Sequence, residues 1–307
     1  MITSTLTKEF KEIIKKKERL WYGVYCFVLL ILFLYLLFPS KALDKFIIQE
    51  ANRVYPDLKV KIGETNISFP LGIKIESIEV TTENIPDIVF ESDITKIKPG
   101  ILSYVSGNRK YSFQSSTMGG NISGSVHYKN NSEKNGDKAN IRFKDIRLGK
   151  RTFIHPVISR KLECIANGEI NFIGDISSPV NGNFNLSLEL FDGNIKLINP
   201  ISQLSDIGFH KLTLAAEMEN RFINITSMQL AGEGIKGFAS GNIRVINNFM
   251  ASRLDLKGEL EFSSTFYQDM PDIQNAINIL TSGREDGKLS FNVKGTIEKP
   301  RFNFNRR

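Results

Sequence analysis

Three patterns in this sequence have the residue types that chemistry needs. Gly232-Glu-Gly234-Ile-Lys-Gly237 has the spacing of a dinucleotide-binding loop. His127, His155 and His210 are the chain's imidazoles, and Cys26 and Cys164 its thiols. A dinucleotide loop works when a strand precedes it and a helix follows, so that the helix N-terminus meets the pyrophosphate. Here the strand-like stretch Phe238 to Ile246 follows instead. The histidines lie far apart in unrelated contexts, with no close Cys or His to share a zinc ion. Neither a Gly-x-Ser-x-Gly elbow nor a His-Glu-x-x-His pair occurs. Two cysteines make no disulfide framework. The expectation is a chain without catalytic residues, metal or cofactor, and not an enzyme.

The elements around these residues say more. A chain of 307 residues that is 24% charged and 41% hydrophobic can bury a sizeable core. From Leu20 to Phe38 no residue is charged. At ~1.5 Å per residue this run reaches about 28 Å, close to a hydrocarbon core of about 30 Å. Trp21 and Tyr22 sit at one end, where aromatic belts lie, and Pro39 ends the run. Lys8, Lys11, Lys15, Lys16, Lys17 and Arg19 precede it. The positive-inside rule therefore makes 1–19 a cytoplasmic leader, 20–38 a transmembrane signal-anchor, and 39–307 a domain beyond the membrane. A cleaved signal peptide is the competing reading, with Ser40-Lys41-Ala42 as its site. The apolar run is longer than the usual h-region of about 7–15 residues.

Beyond the anchor, apolar and polar residues alternate with period two, the mark of strands wet on one face. Phe184, Leu186, Leu188 and Leu190 form one such face. Leu212, Leu214, Ala216 and Met218 form another, as do Leu254, Leu256, Leu260 and Phe262, and Leu289, Phe291, Val293 and Ile297. Two amphipathic helices are predicted, at Leu43–Val54 and Pro271–Leu280. Lys129 to Lys138 reads as an exposed loop. The fold class is mainly β: a twisted antiparallel sheet from about Lys59 to Phe302. Two helices are too little to cover it. Phe172, Phe184, Leu186, Leu188, Leu214, Leu256, Leu260, Phe291 and Val293 then form either a dry core or an open apolar groove.

Gly-x-apolar-x-apolar recurs at Gly124, Gly168, Gly182, Gly193, Gly241, Gly258 and Gly287. The spacing is irregular, and these glycines are expected to open strands at turns or bulges. Charge is uneven as well. Arg109 to Lys161 holds 12 Lys or Arg against 3 Asp or Glu, in a chain of net charge +7. Such a segment suits a solvated face, anionic lipid or an acidic partner. Nucleic acid is not expected beyond the membrane.

Three stretches carry a resemblance: the basic leader with its span; Asp57 to Gly63, Ile67-Ser-Phe-Pro70-Leu-Gly72-Ile-Lys-Ile75 and Ile78 to Val80; and the ending Asp286 to Phe302, with Gly295-Thr-Ile-Glu-Lys-Pro300. Together they resemble type II secretion system protein N in its long delta-proteobacterial form, and, more loosely, AsmA-like envelope proteins. The resemblance implies a single-pass bacterial inner-membrane protein with a periplasmic β domain. It implies an accessory, structural role in type II protein secretion, with other secretion components as partners. The alternative it implies is an AsmA-like lipid-binding or lipid-transfer protein, with membrane lipids offering acyl chains to the groove. Neither family has a catalytic residue to carry over.

Overall fold

A computed structural model describes residues 21–26, 28–33, 35–54, 58–68, 72–82, 85–100, 103, 109–128, 136–149, 163–176, 178–201, 204–269 and 288–304. Helix α1 spans Ser40–Val54. Fourteen strands follow. They are β1 (Leu58–Ser68), β2 (Gly72–Thr82), β3 (Ile85–Pro99), β4 (Arg109–Thr117), β5 (Gly120–Tyr128), β6 (Asp137–Leu148) and β7 (Glu163–Gly174). Then come β8 (Asn183–Ile201), β9 (Leu204–Glu219), β10 (Phe222–Ala231), β11 (Ile235–Arg244), β12 (Arg253–Phe262), β13 (Lys288–Thr296) and β14 (Pro300–Phe304). A short helix, α2 (Ser264–Asp269), follows β12.

All fourteen strands form one sheet, ordered in space as in sequence. Each pairing is antiparallel, so the sheet is a continuous meander. The tight turns carry their own signals. Met118 and Gly119 (φ 50 and 74°) join β4 to β5, and Asn220 and Arg221 (φ 52 and 67°) join β9 to β10. Two successive positive φ values are what a two-residue hairpin requires if its turn is to match the strand twist.

The expected strands are all present, and β8 runs well past the predicted Leu190 to Ile201. The predicted helix at Leu43–Val54 is α1; its Leu43 and Ile47 are half-buried, while Phe46 is 61% exposed. The helix expected at Pro271–Leu280 lies outside the described residues. Two expectations need correction. Asp137 and Lys138 belong to β6 rather than to a loop. Gly124, Gly168, Gly193, Gly241 and Gly258 lie inside strands instead of opening them.

Leu20 lies outside the described residues. Trp21 and Tyr22 are helical and 67% and 71% exposed, and Phe38 follows the end of that helical stretch. No helix among the described residues is long and apolar enough to cross a membrane. The Tyr35 hydroxyl donates to the Ile67 carbonyl at 3.2 Å, which ties the N-terminal helical stretch to the end of β1. α1 packs on the same strand.

Candidate functional site

Residues paired across an antiparallel ladder point to the same side of the sheet. The register therefore decides which side chains share a face. Phe172 pairs with Phe184, Leu186 with Ala216, and Leu188 with Leu214. Leu256 pairs with Val293, Leu260 with Leu289, and Gly258 with Phe291. The intervening links, Leu214 to Met228, Met228 to Ala239 and Ala239 to Gly258, join these groups without changing side. All nine residues expected to line a groove thus occupy one face, the inner face below. Val293 is buried and the other eight are half-buried.

Among the described residues no second layer spans that face: α1 packs on β1, α2 packs at one end through Phe266 and Tyr267, and the other substantial contacts are those between neighbouring strands. The inner face is instead crowded by its own side chains. One buried cluster gathers Ile146, Cys164, Ala166, Leu190, Phe209 and Leu212. A second gathers Ile207, Ile235, Phe262, Phe266 and Leu289. Leu230 packs against both, so the apolar lining is continuous.

Glycine and phenylalanine build the floor of this lining. Gly124, Gly168, Gly193 and Gly258 sit directly opposite Phe113, Phe143, Phe209 and Phe291. A Cβ on these glycines would come within 2.7, 2.5, 2.2 and 2.3 Å of the ring opposite. Each ring therefore lies over a glycine in the next strand, an arrangement that shields strand glycines and fixes register. The repeat visible in the sequence is half of this pairing. Its aromatic half lies on other strands, so sequence reasoning missed Phe113, Phe143 and Phe209.

Bulges curve the sheet. Ser77, Asp145 and Asp192 have φ of 55, 56 and 50° within strands. The ladder shifts between Phe143 and Ile146 in β6 and between Ile225 and Met228 in β10. The Asp145 N–H donates to Asn167 Oδ1 at 2.5 Å. Each bulge bends its strand and increases local twist, which makes a broad sheet concave.

The lining changes character in β1–β4. Thr65, Ser92, Thr95, Ser115 and Thr117 are buried there. Ser92 Oγ, Thr95 Oγ1 and Ser115 Oγ lie 2.7–2.9 Å from one another, and the Thr117 hydroxyl donates to the Glu91 carbonyl. Among the described residues Thr65 Oγ1 has no hydrogen-bond partner. The outer face is polar and solvated. Glu169 accepts from Arg142 at 3.0 Å, Asn171 at 3.1 Å and Asn140 at 2.7 Å. These bonds, led by Arg142, hold its carboxyl down at about 2. Burial pushes the inner-face Cys164 thiol up to about 11. Both Cys26 and Cys164 are free thiols. Gly232 and Gly234 lie in the β10–β11 turn, with β11 directly after them and no helix for a pyrophosphate.

No family model, curated protein or solved structure matches the chain. The inner face is the feature that most needs a functional account. A contiguous apolar surface that the described elements cover only at one end is the kind that marks a ligand, membrane or protein contact. Its chemistry, among the described residues, is that of a hydrocarbon lining.

Proposed function

We propose that the chain is a non-catalytic envelope protein whose inner face accommodates lipid acyl chains. One observation carries this reading: a continuous apolar lining from β5 to β14 against which, among the described residues, only the short α2 packs, at Phe266 and Tyr267. Burying apolar surface is worth roughly 25 cal/mol per Å², so such a face gains by holding hydrocarbon. The apolar run Leu20–Phe38 and its basic leader support a tether in the bacterial inner membrane, with the sheet on the periplasmic side. The resemblance to AsmA-like proteins agrees with that layout.

A second reading is an accessory component of type II secretion, as the resemblance to protein N implies. The outer edge of β14 favours it. β14 is the last strand in the sheet order, and an unpaired edge can accept a strand from another protein.

The test is Leu188→Glu and Leu256→Glu in the full chain, with thermal melting and analysis of co-purified lipid. Lipid in the wild type that is lost from folded variants supports the trough. A wild type without lipid, together with unfolding of both variants, leaves a dry core and the scaffold role.

A further inference from the structure

The last five strands end in a surface unlike the rest of the outer face. Arg244 pairs directly with Arg253, and Lys294 with Arg301. Cβ atoms of such pairs are about 5 Å apart, and like charges placed opposite destabilise a ladder. Among the described residues none of these four cations has an ion pair, although Asp255 is paired in register with Lys294. They line one recess of about 640 Å³. Arg244 also lies over the Phe222 ring, 5.9 Å from its centroid.

Exposed apolar side chains gather at this same end of the strands. Phe222, Ile246 and Phe249 are 49%, 39% and 51% exposed, and Phe302, paired with Val293 on the inner face, is 42% exposed. Tyr128 and Ile173, at the same end of β5 and β7, extend the series. Outside the N-terminal helices, only Ile94 and Phe238 among the described large apolar residues are exposed elsewhere. Cations that repel one another, interleaved with exposed aromatic rings, match the two demands of an anionic bilayer surface. The cations meet lipid phosphates, and the rings enter the headgroup boundary.

We propose that this end of β10–β14 is a docking surface for an anionic lipid bilayer. It lies at the opposite edge of the sheet from α1 and Tyr35, and it is independent of whether the trough holds lipid. The cationic recess neutralises phosphate headgroups, while Phe222, Phe249 and Ile246 insert beside them. An acidic protein partner would satisfy the charges but would leave the interleaved rings without a hydrocarbon layer to enter.

The test uses the full chain carrying Cys26→Ser, reconstituted into vesicles doped with a nitroxide-labelled lipid. A fluorophore is attached at Asn247→Cys, beside the patch, or at Glu233→Cys, at the other end of the strands. Cys164 is buried and does not compete for label. Ten-residue strands separate the two sites by about 33 Å, beyond the reach of contact quenching. The expected result is strong quenching at 247 in vesicles containing phosphatidylglycerol, little in phosphatidylcholine alone, and none at 233. Arg244→Glu with Arg301→Glu should abolish the quenching at 247. This double variant turns the repulsive pairs Arg244–Arg253 and Lys294–Arg301 into attractive ones and leaves Lys294 opposite Asp255, so its fold is not weakened, and circular dichroism checks that. Quenching at 247 that ignores anionic lipid, that is matched at 233, or that survives the double variant overturns the proposal. So does its absence.

Discussion

The inner face of β1–β4 and that of β5–β14 belong to one sheet but are closed in different ways. In β1–β4, buried hydroxyls bond to one another and to backbone carbonyls. In β5–β14 the lining is hydrocarbon, levelled by aromatic rings laid over glycines. A hydroxyl cluster is directional, and each of its groups needs its partner. A hydrocarbon lining is non-directional and can exchange one apolar neighbour for another. The difference predicts directional, partner-specific packing in the strands beside α1 and interchangeable apolar packing in the remainder.

The sharpest way to break this comparison is to fill a glycine in the hydrocarbon region. A Cβ at Gly168 would meet the Phe143 ring at 2.5 Å and the Ser187 carbonyl oxygen at 2.4 Å. Gly168→Ala should cost about 1–3 kcal/mol, as overpacking does, read as a lowered melting temperature. Gly208→Ala has nothing within 4 Å of its new methyl and should be close to neutral. Equal effects at the two positions would refute the ring-over-glycine account.

A smaller effect, of opposite sign, is expected in the hydroxyl region. Thr65 is fully buried and its hydroxyl lacks a partner. Thr65→Val keeps the shape and removes an unsatisfied group, so it should be neutral or stabilising by about 1 kcal/mol. Ser115→Ala, which removes a bonded hydroxyl, should instead destabilise by about 1 kcal/mol. Chemical denaturation of both variants distinguishes them, and a destabilised Thr65→Val would show that the hydroxyl has a role.

Thiol labelling reports on access to the lining. With Cys164 pushed up to about 11 and buried, it should react far more slowly at neutral pH than a cysteine introduced at the exposed Asn247 (Asn247→Cys), until the sheet is unfolded. Fast labelling of native Cys164 would mean that the hydrocarbon region opens to water.

The smallest effect belongs to the outer face, which both regions share. Glu169 is held at about 2 against an ordinary value of 4.5. A lowered carboxyl stabilises the folded state above the unfolded value, and that contribution is lost as pH falls from about 4.5 toward 2. Glu169→Gln should flatten the stability profile over that window and leave it unchanged in shape above it. The exposed setting keeps the difference modest.

Much of this organisation is written locally. Period two marks β8, β9, β12 and β13 because each has one apolar side, and α1 shows its spacing directly. The aromatic half of the glycine repeat was not legible, since Phe209 and Gly193 meet only through the register. The hydroxyl region hid for another reason. In β3 the alternation is interrupted, so Ser92 and Thr95 are buried while Ile94 is 37% exposed. Read by polarity alone, that strand has its faces reversed. The cationic recess joins side chains from four strands, and single-strand patterns carry no sign of it.

The meander has a consequence for how the molecule comes into being. Each strand finds its partner in the adjacent hairpin, so no pairing waits for a distant part of the chain. Contacts of short sequence separation favour fast assembly, and in stacked architectures order can spread from unit to unit. A chain delivered N-terminus first would be able to lay down β1 against α1 and add hairpins as they appear, with β14 last. Growth in that direction keeps one edge of the sheet at β1 from the start and moves the other to the newest strand at each step, so the edge that changes is always the one about to receive its hairpin partner.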